Sequence, residues 1–252
     1  MMKVLLVTGS SRGIGAEICR LAATRGWAVC VNYARSASEA RAVVRTIEDG
    51  GGVAMACQAD IARESQVIEM FRRIDHELGP ITGLINNAGI NGGGVRVDDI
   101  EPAEIEQLFR VNVFGAMYCA KQAVRRMARR HGGNGGRIVN ISSAASRHGG
   151  PGYTDYAASK AALDTFTVGL AKEQAEEGIR VNCLRPGASM TELSVVYAQD
   201  HPEWLDWVME QVPLGRPGEV REIANAALFL LSGKASYITG AVLDASGGWV
   251  SP

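Results

Sequence analysis

Apolar residues in this chain fall into two alternating textures. Short, nearly continuous apolar runs at 4–8, 28–33, 54–58, 83–86, 137–142, 180–184 and 241–244 show no in/out alternation. Such runs predict strands covered on both faces, the habit of a parallel sheet. Between them, periodic patterns predict helices near 14–25, 37–49, 65–78, 102–130, 155–177 and 219–231. The last opens on Pro217-Gly218-Glu219-Val220, with acidic residues where a helix dipole favours them. Strand–helix alternation implies right-handed βαβ units in one doubly wound α/β domain spanning residues 1–252. The expectation is a parallel seven-stranded sheet with helices on both faces. One stretch, at about 188–216, breaks the rhythm with Met190, Tyr197, Trp204, Trp207 and Val208. A long excursion of this kind predicts a substrate lid, or else a helix that its two tryptophans anchor to the core.

Composition narrows the function classes. The 252 residues carry a net charge of −1, which gives no bulk attraction for nucleic acid or an anionic membrane. Arg125, Arg126, Arg129, Arg130 and His131 form one basic run, best read as cations complementing a helix C-terminus before Gly132-Gly133. Five scattered cysteines, without a C-x-x-C pair, predict free thiols in a reducing cytoplasm. Four dispersed histidines predict no metal site. The N-terminal apolar run stops at Thr8-Gly9, too soon for a membrane span, and reads as a strand.

The first predicted strand runs directly into Thr8-Gly9-Ser10-Ser11-Arg12-Gly13-Ile14-Gly15 and then a helix. Glycines there permit positive φ and close backbone approach, and a helix N-terminus offers N–H groups to a pyrophosphate. Gly9, Ser11, Arg12, Gly13, Ile14 and Gly15 are therefore candidate cofactor contacts. The second strand ends Asn32-Tyr33-Ala34-Arg35-Ser36, with no acid to accept from a ribose 2′-OH. Asn32, together with Arg12 and Arg35 as donors to a 2′-phosphate, points instead to NADP(H). Tyr156 and Lys160 stand at i and i+4 of a predicted helix, so they share a face and the ammonium favours the phenolate form. Such a phenol can exchange a proton with an alcohol or carbonyl oxygen. Ser143, thirteen residues earlier at a strand end, could donate to the same oxygen; its neighbour Ser142 competes for that role.

The spacing T-G-x-x-x-G-x-G resembles the glycine motif of the short-chain dehydrogenase/reductase family, and six further motifs follow in order: Asp60-Ile61, Asn86-Asn87-Ala88-Gly89, Asn112, Ser142-Ser143, Tyr156-Ala157-Ala158-Ser159-Lys160, and Pro186-Gly187 with Thr191. The resemblance covers essentially the whole chain and implies a Rossmann fold. It implies a catalytic tetrad of Asn112, Ser143, Tyr156 and Lys160, in which serine orients substrate and tyrosine is the acid/base. Lysine binds the nicotinamide ribose and assists the tyrosine, while asparagine holds a water of the proton relay. It implies that Asp60 and Ile61 border adenine, that Asn87, Ala88 and Gly89 line the nicotinamide side, and that Pro186, Gly187 and Thr191 face the carboxamide. Arg147, His148 and Tyr153 border the substrate pocket or serve as loop residues.

The expected activity is NADP(H)-dependent interconversion of a carbonyl and a secondary alcohol. Family members of this kind include 3-oxoacyl-[acyl-carrier-protein] reductases and glucose 1-dehydrogenases, and the sequence does not choose between them. A non-catalytic NADP(H) sensor is the alternative from another class; it would need the glycine loop but not the tyrosine. The resemblance also implies a homotetramer, with a dimer as runner-up. Its contacts would be helices near 102–130 and 155–177 and, at a second interface, Gly247-Gly248-Trp249-Val250.

Overall fold

In the computed structural model, residues 2–200 and 202–249 are described, excluding the side chains of Leu193, Val196, Tyr197 and Pro202. The expectations placed on the Tyr197 ring and on Val250 therefore lie outside the described residues. Seven parallel strands form the main sheet: β1 (Lys3–Val7), β2 (Trp27–Tyr33), β3 (Val53–Gln58), β4 (Gly83–Asn86), β5 (Gly136–Ile141), β6 (Ile179–Pro186) and, last in the chain, Val242–Ala245. Their order is β3-β2-β1-β4-β5-β6 followed by the last strand. The seven predicted strands are all present, and their ends shift by up to two residues.

Period-2 alternation divides the sheet between two cores. Val4 and Leu6 of β1 face one side, with Phe71 and Ile74 of α3 (Glu64–Glu77) and Ala120 and Met127 of α5 (Ala116–Met127). Leu5 and Val7 face the other, with Ile18 of α1 (Gly13–Ala23), Val43 of α2 (Ala37–Asp49) and Leu228 of α10 (Val220–Leu231). Both faces are dry because helices cover both, which is why no strand shows a polar side in sequence.

The predicted helix over 102–130 is not continuous. α4 (Pro102–Phe109) passes through one wide, π-helical turn at Arg110–Gly115 into α5, and a 3-10 turn follows at Arg129–His131. Crowding explains the wide turn: Gly115 packs against Ile61, and Asn112 is fully buried with its amide committed elsewhere. The basic run straddles the end of α5, with Arg125 and Arg126 in its last turn, as expected of cations at a helix C-terminus, and Arg129, Arg130 and His131 just beyond. Arg126 pairs with Asp75 and Arg130 with Glu177. A short helix α6 (Ala145–His148), absent from the sequence expectation, precedes the long α7 (Thr154–Gln174). The excursion after β6 contains β7 (Ser189–Met190), α8 (Glu192–Asp200) and α9 (Pro202–Gln211), and it returns through β8 (Gly218–Glu219), which pairs with β7. The last strand, Val242–Ala245, is thus β9.

Winding reverses between β1 and β4, because β2 and β3 lie on one side of β1 and the later strands on the other. In doubly wound sheets the crevice at the carboxyl ends beside such a reversal is where ligands bind. A buried amide ladder fixes the strands there. Asn86 Nδ2 donates to Asn140 Oδ1 (2.9 Å), and Asn140 Nδ2 donates to Thr167 Oγ1 of α7 (2.8 Å).

Candidate active site

The glycine loop leaves β1 with Gly9 at φ +60° and enters α1 at Gly13 with φ +57°, a region that L side chains avoid. A Cβ on Gly9 would lie 2.7 Å from Ala88 Cα, and one on Gly15 would lie 2.5 Å from Asn87 Nδ2. Only glycine lets the loop close on the β4 end this tightly. Thr8 Oγ1 accepts the N–H groups of Asn87 (3.0 Å) and Ala88 (3.1 Å), while Asn87 Nδ2 donates back to the carbonyls of Thr8 and Gly9. At the mouth of the loop the Gly13 N–H donates to Glu192 Oε2 (3.2 Å) at the start of α8. A carboxylate on that amide marks it as an anion acceptor site, in keeping with a helix N-terminus.

Asn32 faces inward. It is buried, its Oδ1 accepts the Gly9 N–H (3.1 Å), and its Nδ2 donates to the carbonyls of Cys57 (3.3 Å) and Ala59 (3.1 Å). Its amide is thus fully spent on holding the glycine loop to β3. The guanidinium groups of Arg12 and Arg35 are exposed and unpaired among the described residues. Asp60 is half-exposed; its Oδ1 accepts the Ala62 N–H (3.0 Å), and Ile61 is buried beneath it against Gly115.

The four tetrad candidates come from three segments: the wide turn carries Asn112, the end of β5 leads to Ser143, and α7 carries Tyr156 and Lys160. Asn112 and Lys160 meet at Gly89. A Cβ on Gly89 would lie 3.2 Å from both Asn112 Oδ1 and Lys160 Nζ. The wide turn aims Asn112 so that its amide accepts the Ile90 N–H (2.8 Å) and donates to the Ile90 carbonyl (2.9 Å) and to Ser159 Oγ (3.0 Å). Lys160 is buried in α7, donates to the Ile141 carbonyl (2.9 Å), and sits 5.7 Å from the centroid of the Tyr156 ring. The two serines separate clearly. Ser142 is buried and donates to the Lys160 carbonyl (3.0 Å), whereas Ser143 is half-buried and accepts the Ala145 N–H (3.2 Å), leaving its own proton to give.

Past the end of β6, the Gly187 N–H donates to Ala245, and a Cβ on Gly187 would meet Ser246 Cα at 2.8 Å. Pro186 accepts the Ala144 N–H, tying β6 to the serine loop. Thr191 Oγ1 bonds to Ser194 Oγ (2.7 Å), which in turn donates to Ser189. An aromatic cluster stands nearby: His148 stacks on Trp249 at 4.6 Å, and Trp207 meets Trp249 edge-on at 5.4 Å. Burial pushes the His148 imidazole down from its ordinary value, and its Nδ1 accepts the Gly150 N–H (3.3 Å). Among the described residues no group of ligands suits a metal ion.

A family model described as "Enoyl-(Acyl carrier protein) reductase" matches residues 9–250. The chain belongs to the short-chain dehydrogenase/reductase family. It is an oxidoreductase that works on CH–OH and carbonyl groups with a nicotinamide dinucleotide. It is 46% identical to the uncharacterized oxidoreductase YgfF of Escherichia coli K12, over 98% of this chain and 100% of that one. Identity to the 3-oxoacyl-[acyl-carrier-protein] reductase FabG of Staphylococcus epidermidis is 36%, over 98% of this chain and 99% of the relative. A gluconate 5-dehydrogenase from Burkholderia cenocepacia, solved with NADP and tartrate, superposes with a TM-score of 0.90 at 34% identity, covering 98% of this chain and 94% of that one.

Sequence reasoning passed over Glu192 and the acid–base pairs of Asp164, Arg185 and Asp244. The available signal was an acid one helical turn beyond Lys160, at Asp164, matched by an arginine immediately before Pro186-Gly187.

The inward amide of Asn32 generates a prediction. Asn32→Asp replaces a donor facing two carbonyls with a carboxylate oxygen, so it should cost about 1–3 kcal/mol of stability and weaken NADPH and NADH binding together. Thermal melts and cofactor titrations check this; a selective loss of NADPH with unchanged stability would contradict it.

Proposed function

We propose that the protein interconverts a carbonyl and a secondary alcohol with NADP(H), with Tyr156 as the acid/base. The observation that carries this reading is the convergence of Lys160, Asn112 and the Tyr156 helix on Gly89, at the strand ends beside the glycine loop. The cofactor fits the residues present, because the positive-φ Gly9 and Gly13 turn the loop at the helix N-terminus and the Gly13 N–H is already engaged by a carboxylate. Gly9, Ser11, Arg12, Gly13, Ile14 and Gly15 would hold its phosphates, with Asp60 and Ile61 beside adenine. Asn87, Ala88, Gly89, Pro186, Gly187 and Thr191 would line the nicotinamide end. A bound nicotinamide dinucleotide supplies or takes the hydride.

The chain's own residues handle the oxygen. Ser143 donates to the substrate oxygen and orients it. Tyr156 gives that oxygen its proton during reduction and takes it back during oxidation. Lys160, held by the Ile141 carbonyl beside the Tyr156 ring, would bind the nicotinamide ribose, and Asn112, bonded to the Ile90 backbone, would hold a relay water. The segment 188–216 acts as the substrate lid, with Trp207 exposed on its α9. The five buried free thiols support a reducing, cytoplasmic setting. FabG and the gluconate dehydrogenase frame the substrate class as a 3-oxoacyl thioester or a polyhydroxy acid, so a panel of both with each cofactor is the discriminating assay.

Three outcomes are expected. Tyr156→Phe keeps the ring and removes the hydroxyl, so turnover should fall by roughly 10²–10⁴-fold while NADPH affinity, measured by fluorescence titration, stays put; retention of most activity would move the acid/base role elsewhere. Arg12 and Arg35 should give NADPH about a tenfold advantage over NADH, since a charged hydrogen bond is worth about 1.5–3 kcal/mol before exposure discounts it. Arg35→Ala should shrink that ratio, and equal wild-type affinities at low salt would refute the arginine reading. For assembly, the mass in solution should be four times 26.8 kDa, through α5 and α7 and a second face bearing half-exposed Phe229 and Leu243. Light scattering at a dimer or single-chain mass would remove the tetramer.

A further inference from the structure

Behind the tetrad runs a row of alternating charges, Asp164, Arg185, Asp244 and Arg147, on α7, β6, β9 and α6 respectively. Its inner half is tight. Asp164 Oδ2 accepts from Arg185 Nε (2.9 Å) and Nη2 (2.8 Å), and Asp164 Oδ1 accepts from the Cys183 thiol (3.2 Å), which burial keeps protonated. Both carboxylate oxygens are therefore filled. The outer half is looser. Arg185 Nη1 stands 3.6 Å from Asp244 Oδ1, and Arg147 Nη1 donates to Asp244 Oδ2 at 3.3 Å. Exposure follows the same gradient, from 9% at the Asp164 side chain to 43% at Arg147.

Stability alone is a poor reason for such a row. A buried ion pair can be replaced by packed apolar side chains at little or no cost, and breaking one leaves a stranded charge. What the row does have is an address. Asp164 lies one helical turn beyond Lys160 and two beyond Tyr156, while Arg185 immediately precedes Pro186-Gly187. Arg147 sits in the short helix that begins two residues after Ser143. That helix is tied directly to the serine: Ala145 N–H donates to Ser143 Oγ, and Ser146 Oγ donates to the Ser143 carbonyl. α6 also packs directly on α7, its His148 stacks on Trp249, and Ala144 N–H donates to Pro186. The charge row adds the side-chain link that runs from α6 to the ends of β9 and β6.

We propose that this charge row positions Ser143, locking the serine loop to the tyrosine–lysine helix through the ends of β6 and β9. Arg147 and Asp244 act here as positioning residues, through Ser143 rather than on the substrate oxygen. The proposal rests on Ser143 orienting the substrate oxygen. The outer link is the place to test it, because Asp164 and Arg185 are buried deeply enough that their variants risk misfolding.

Asp244→Asn and Arg147→Gln should each lower kcat with a carbonyl substrate by about 5- to 20-fold and leave NADPH affinity within about twofold, whereas Arg147→Lys, which keeps the charge at that position, should retain most of the turnover. In the cofactor-free protein, amide hydrogen exchange across residues 145–148 should speed up in both variants, while the strands keep their protection. In a Ser143→Ala background the further loss from Asp244→Asn should vanish, since the two would act on one interaction. Full additivity with Ser143→Ala, or unchanged exchange at 145–148, overturns the proposal. So does a loss of kcat that tracks a general loss of NADPH binding. If Ser143→Ala itself keeps wild-type turnover, the serine assignment fails, and the exchange measurement still decides whether the row holds the loop.

Discussion

Two strand ends, those of β1 and β4, touch backbone to backbone, and the arrangement of the site depends on that contact. Gly9 lies so close to Ala88 that no side chain fits between them. Four hydrogen bonds among Thr8, Gly9, Asn87 and Ala88 hold the approach. Each is worth about 1 kcal/mol net, which is modest for stability but decisive for geometry, because one side of the contact leads to the glycine loop and the other to Gly89. The glycine loop and the Asn112–Lys160 cluster at Gly89 are thereby set in one frame. Asn32 extends the frame sideways to β3, so three adjacent strands share it.

The parts of the fold legible in the chain were those whose signals are local. A doubly covered strand has to be apolar throughout, and all seven strands stood out for that reason. The glycine loop and the Tyr156/Lys160 spacing were equally visible, since each is a short-range pattern with a physical purpose. Burial was not visible in the same way. Asn32 sits where a ribose-binding acid would, yet its amide turns inward, and only the registry of β2 against β3 shows this. The choice between Ser142 and Ser143 likewise became physical once the Lys160 carbonyl was seen to claim the first hydroxyl.

Other features depend on long-range packing and leave little local trace. The break between α4 and α5 follows from Gly115 meeting Ile61, a residue more than fifty positions earlier. α6 is a four-residue helix, too short for periodicity to register. The charge row needs α7, β6, β9 and α6 to assemble before its members are neighbours. Trp204 and Trp207 illustrate the same limit: Trp207 proved exposed and edge-on to Trp249, a partner over forty residues away.

The wide turn at Arg110–Gly115 gives the chain a particular evolutionary rigidity. Each residue of an α-helix advances about 100° around the axis, so a turn that accommodates an additional residue is in effect a stored rotation. Removing one position would restore regular winding and swing the Asn112 amide away from both Ile90 groups while carrying α5 around with it. Adding one would do the reverse. Point changes at exposed positions such as Phe114 leave the rotation intact. Length is therefore the inherited quantity in this segment, and a change of one codon here is a more drastic event than several substitutions.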